Sequence, residues 1–167
     1  MTTRRITHEA VRLEVPARAS FADFRARYEE AVPRVDLEGL GRLVARGAGW
    51  PEVEAAAEAG APHGFMRYWE TDAAALMGLA GPVRPCVTYL MGNHTIAQRM
   101  FAHDPGVMLY APLRTTIHED GDGATWFTVD LPSSRFGSFA RPAVTAVGRE
   151  LDEKVAALLA HLGAPVA

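Results

Sequence analysis

The sequence predicts an α+β fold, a mostly antiparallel sheet of about five strands with helices on one face. Three observations lead there. Several short segments alternate apolar and polar residues, as half-buried strands do. "EDGDG" at 119–123 separates two of them as a hairpin loop. The chain closes on a long stretch whose apolar residues recur at helical spacing.

Taken in order, "AVRLEV" alternates with Val11, Leu13 and Val15 on one side, a first strand that Pro16 ends at a sheet edge. Ser20 caps a helix, "FADFRARYEEAV", that stops before Pro33. Residues 34–60 read as two short helices broken by glycines, an insertion into one domain that spans 1–167. These glycines form no phosphate loop, because no Lys-Ser/Thr follows them. "GFMRYWET" is the second strand, and Thr71 or Asp72 starts a brief helix after it. "PCVTYLMG" is the third strand. "HTIAQRMFA" follows as a helix capped by Asn93 and stopped by Pro105. "GVMLYAPLRTTIH" is a long fourth strand, with Pro112 at a bulge or edge position because it has no N–H to donate. "ATWFTVD" is the fifth strand and "LPSSRFGSFAR" a loop. Pro142 to Leu162 is the last helix, with Val144, Val147, Leu151, Val155, Leu158 and Leu162 as its apolar stripe.

Composition narrows the function. A net charge of −3, with arginines scattered among acids, argues against a nucleic-acid partner. No apolar run is long enough to span a bilayer, and the N-terminus lacks a signal peptide's apolar core. A cytoplasmic protein is expected, without a membrane partner. The one cysteine, Cys86, sits in an apolar run and reads as a buried structural thiol.

Histidines mark the first candidate site. His94 and His103 flank the helix after the third strand. On one regular helix they would point about 180° apart and lie about 13 Å apart along the axis. They could not share a metal ion, and no metal site is expected. The sheet offers a second candidate. Leu109, Leu113, Thr115, Ile117, Thr125, Phe127 and Val129 fall on one face of the fourth and fifth strands. Tyr110, Arg114, Thr116, His118, Trp126, Thr128 and Asp130 fall on the other, with Thr116 opposite Trp126 and Arg114 opposite Thr128. Phe65, Arg67 and Trp69 would extend one face from the second strand. Aromatic rings beside cations make a ligand floor or a dimer interface. "SSR" at 133–135 reads as turn chemistry that could also hold a carboxylate or phosphate.

The stretch from Tyr89 to Ser134 resembles the bacterial "domain of unknown function 302" family. The resemblance rests on Gly92-Asn93 after a strand, Ala97 and Met100 in a short helix, Asp104-Pro105, the strand "VMLYAPLR", an acidic hairpin and a long final helix. It covers about residues 64–162, and the first strand and helix more loosely. It implies a TATA-binding-protein-like fold, a curved antiparallel sheet with helices on one face, and commonly a homodimer. It implies no activity. Two departures mark a specialised subgroup: His94 stands where the family carries proline, and the 34–60 helices are extra.

The expected function is binding of a small apolar or anionic molecule between sheet and helices. Asn93, Tyr110, Arg114, Trp126, Arg67 and Trp69 are the candidate binding residues. The alternative is an enzyme without a cofactor, a cyclase, isomerase or dehydratase. It would use His94 or His103 with Asp104 or Asp130 as acid and base, since imidazole changes charge near neutral pH. A further alternative is haem or metal binding through His94. No motif names a cofactor. There is no Gly-x-Ser-x-Gly, no His-Glu-x-x-His and no dinucleotide fingerprint.

Overall fold

The computed structural model describes residues 2–166. Its strands are β1 (Arg12–Pro16), β2 (Met66–Asp72), β3 (Cys86–Gly92), β4 (Leu113–Glu119) and β5 (Thr125–Asp130). Its α-helices are α1 (Phe21–Ala31), α2 (Leu37–Ala45), α3 (Trp50–Gly60), α4 (Ala73–Met77), α5 (His94–Phe101), α6 (Pro132–Phe136) and α7 (Pro142–His161). The five strands form one antiparallel sheet in the order β1-β5-β4-β3-β2. The α+β reading therefore holds, and β1 lies at an edge, where Pro16 is tolerated.

Alternation decides which face is covered. Val15, Val87, Tyr89, Met91, Ile117, Phe127 and Val129 are buried and share one core with residues of α1, α5, α6 and α7. The α7 stripe from Val144 to Leu162 enters that core. The opposite sheet residues, Thr88, Thr116, His118, Trp126 and Thr128, are only half-buried. A second, smaller cluster forms where Ala57 and Ala61, at the end of α3, meet Met66, with Val35 and Tyr68 packed against it. α2 buries none of its residues.

Caps follow the sequence signals. The Ser20 hydroxyl accepts the Asp23 N–H, the Asn93 amide oxygen accepts the Thr95 N–H, and the Asp72 carboxylate accepts from Ala74 and Ala75.

Three expectations change. The fourth strand starts only at Leu113. Residues 105–109 form a 3-10 turn capped by Asp104, so Leu109 is exposed rather than on the buried face. Pro105 and Pro112 frame this segment, and neither can donate to a ladder. The hairpin pairs Thr116 with Thr128 and His118 with Trp126, and Arg114 lies opposite Leu90. The shift is two residues, so every side chain keeps its face. Its cause is a loop of the same length centred on Asp122 rather than Gly121 and organised by the side chain of Asp120. That carboxylate accepts the N–H groups of Asp122 and Ala124 and the Trp126 indole N–H at 2.8–3.0 Å. Finally, the segment at 131–141 is not a loop. Pro132 opens α6, a position where its missing N–H costs nothing.

Arg67 is also corrected. It is buried beside the core, not on a ligand floor with Trp69. β2 bulges between Arg67 and Trp69, so Arg67 pairs with Met91 and Trp69 with Leu90. Arg67 then points toward the covered face and Trp69, 51% exposed, toward the open one. The Arg67 Nε donates to the Val32 carbonyl at 2.7 Å and Nη2 to the Glu29 carbonyl at 3.2 Å. Glu70 and Glu29 supply its countercharge.

Glu29 sits in the same network. Burial pushes its carboxyl up, but hydrogen bonds from Arg25 and Tyr89, with the charges of Arg25 and Arg67, outweigh that and hold it below the ordinary 4.5. The unfolded chain therefore takes the proton first. Stability from Glu29 is fully present above pH 4.5 and is lost as the pH falls through the lower folded value. Thermal melts from about pH 6 to about pH 3 should show this acid limb, and Glu29→Gln should flatten it.

Candidate functional site

Several pieces of chain line an open-mouthed cavity of about 420 Å³. Phe65 and Tyr68 come from β2 and the residue before it. Gly92 and Asn93 end β3. α5 contributes His94, Ile96, Ala97 and Met100, the segment 111–113 forms one wall, and Phe136 of α6 with Leu151 of α7 contributes further apolar lining. Trp50, Phe101 and Met108 also line it and are 41–48% exposed, so large apolar groups edge the opening. Among the described residues no charged side chain lines this space.

Gly92 makes the close approach possible. A Cβ there would lie 3.1 Å from the Pro112 side chain. β3 thus runs against Pro112 and delivers Asn93 as the N-cap of α5 at the cavity wall. The Asn93 amide also donates to the Gly64 carbonyl at 3.1 Å, tying the start of α5 to the chain entering β2.

The polar corner of the cavity is a pair, Tyr68 and His94. The Tyr68 hydroxyl oxygen accepts the His94 backbone N–H at 3.1 Å and lies 2.8 Å from His94 Nδ1. The hydroxyl, already accepting that backbone N–H, has its own proton to donate to Nδ1, and the ring proton then sits on Nε2. Nε2 is out of reach of water and has no hydrogen-bond partner among the described residues. Burial lowers the His94 pKa, keeping the ring neutral at pH 7, and pushes the Tyr68 hydroxyl up to about 12 against the opposing His94 backbone bond. The pair is a neutral hydrogen-bonding unit in an apolar chamber.

The sequence pattern of the family described as "Domain of unknown function DUF302" matches residues 51–162. The chain belongs to the DUF302 family. In fold it is similar to an uncharacterized conserved DUF302 protein from Bacillus stearothermophilus, whose crystal structure superposes with a TM-score of 0.63 at 16% identity, over 92% of this chain and 97% of that one. Among curated proteins, none matches.

The matched DUF302 region holds most of the cavity, and the sequence-derived candidates divide within it. His94 and Asn93 line the apolar chamber. Tyr110, Arg114 and Asp130 line another cavity of about 310 Å³, with Arg135. His94 and Arg114 therefore do not form one site. The two cavities share only Pro112 and Leu113 as walls. His103 is exposed beyond the end of α5. Asp104 accepts the Gly106 N–H at 2.9 Å, and Asp130 pairs with Arg135, so neither carboxylate reaches His94. Trp126 is held by Asp120 in the hairpin. Ser134 donates to the Leu131 carbonyl and accepts the Val11 N–H, so it serves the turn. No cluster of three or more metal-ligating side chains occurs among the described residues, and no helix among them is long and apolar enough to cross a membrane.

Tyr68 is the residue the sequence did not reveal. Strict alternation along "GFMRYWET" puts it opposite Phe65, Arg67 and Trp69 with no special role. The bulge frees it from the ladder and turns it to His94. The one available signal is His94 itself, a polar ring at the junction of an apolar strand and the next helix and needing a partner once buried.

Proposed function

We propose that this protein binds a neutral, mostly apolar small molecule in the His94 cavity, with one oxygen of the ligand at the Tyr68–His94 corner. The observation that carries this is the character of the chamber: mostly apolar walls, no charge, a few polar side chains (Asn93, Gln98 and the Tyr68–His94 pair), and on that pair an unmet hydrogen-bond donor. Small-molecule sites have this composition, a few polar groups in an apolar pocket of about 300–1,000 Å³. An unsatisfied buried donor costs about 1–3 kcal/mol, which a ligand hydroxyl or carbonyl recovers after a small turn of the ring. An anionic ligand fits this chamber poorly, because nothing in it offers a countercharge.

Amide chemical-shift mapping with 1-naphthol tests the proposal. Saturable shifts at Asn93, His94, Ile96, Ala97 and Leu113 are expected. Shifts confined to the open sheet face around Trp69 and Trp126, or no saturation, would sink it.

A further inference from the structure

We propose a second, separate binding site for an organic carboxylate on the other side of Pro112. The cavity there is lined by Leu90, Leu109, Tyr110, Arg114, Asp130 and Arg135. Its charges are unevenly matched. Arg135 Nε donates to Asp130 Oδ2 at 3.0 Å, and Asp130 largely neutralises it. The same guanidinium lies over the Tyr110 ring, 5.4 Å from its centroid, and this fixes the ring as a wall. Arg114 has no ion pair and no hydrogen bond among the described residues, yet it points into the same space. The site therefore carries one uncompensated positive charge. A guanidinium matches a carboxylate with two parallel N–H donors. The Tyr110 hydroxyl, 3.4 Å from His8 Nε2, is a second polar group nearby.

The remaining lining decides between kinds of anion. Leu90 and Leu109 set apolar surface beside the charge, over the buried Leu113 and Val129, and Leu109 is 75% exposed at the rim. Inorganic phosphate has nothing to place against them. A small acid with an apolar body covers them while its carboxylate meets Arg114. The ligand class is thus an amphipathic monocarboxylate, distinct from the neutral occupant of the His94 chamber.

Calorimetric titration of the full chain with phenylacetate, its neutral analogue phenylacetamide and inorganic phosphate tests this. Phenylacetate should bind about tenfold tighter than either comparator, and Arg114→Gln should abolish that preference. Arg114 is exposed, so this variant should melt at the wild-type temperature. Equal binding of acid and amide, equal binding of phosphate, or an unchanged Arg114→Gln would overturn the inference. Ala97→Trp, which fills the other chamber, separates the two sites. Phenylacetate binding kept in that variant supports the second site, and binding lost there overturns it whether or not the first chamber takes neutral ligands.

Discussion

Arg67→Met should destabilise the protein by about 3–5 kcal/mol, the cost of removing one partner from a buried charge network. Met keeps most of the apolar stem and removes the guanidinium. The Val32 and Glu29 carbonyls then lose their donor, and Glu29 and Glu70 lose a buried countercharge. The position also joins elements. Arg67 reaches from β2 to the end of α1, and its ring contact with Tyr89 extends the network into β3. A chain of this size loses about 2–4 °C of melting temperature per kcal/mol, so a drop of about 10 °C is expected. Arg34→Met is the comparison. Arg34 also pairs with Glu70, but its side chain is 72% exposed, and its loss should cost under about 1 kcal/mol. Equal melting temperatures for the two variants would show that the buried network contributes nothing special.

Much of the fold was legible because it rests on local rules. Ser20, Asp72 and Asn93 cap helices by their side-chain chemistry alone. The α7 stripe and the alternation of β4 and β5 state their buried faces directly. What stayed hidden depends on geometry between segments. The bulge at Tyr68 leaves no mark in "GFMRYWET", since Arg67 and Trp69 look equivalent until one side is buried against α1. Arginine is mostly an exposed residue, so the sequence gives no reason to bury Arg67. α6 did carry a signal in Pro132, which the serines after it masked as turn chemistry. The candidate site was half legible. His94 stood out by type and place, and the Tyr110, Arg114 and Asp130 set does converge on one cavity. That these were two sites follows from Pro112 and Leu113 standing between them, which no spacing rule reveals.

Ala97→Trp should remove the function proposed here. Ala97 is half-buried on α5 and lines the chamber. An indole at that position takes up volume that the ligand needs, while the chamber gives it room without pushing on the core. The substitution leaves Tyr68 and His94 untouched, so it asks about space rather than chemistry. Loss of at least about 100-fold in affinity is expected, about 2.7 kcal/mol. Ala97→Leu should give a smaller loss in the same direction, and both variants should keep the wild-type circular dichroism.

The most direct measurement of the central claim is a fluorescence titration of N-phenyl-1-naphthylamine, a neutral apolar probe, into the wild-type protein and Ala97→Trp. A saturable rise at one probe per chain in the wild type, absent in a folded Ala97→Trp, is the predicted result. The same curve for both proteins would contradict it.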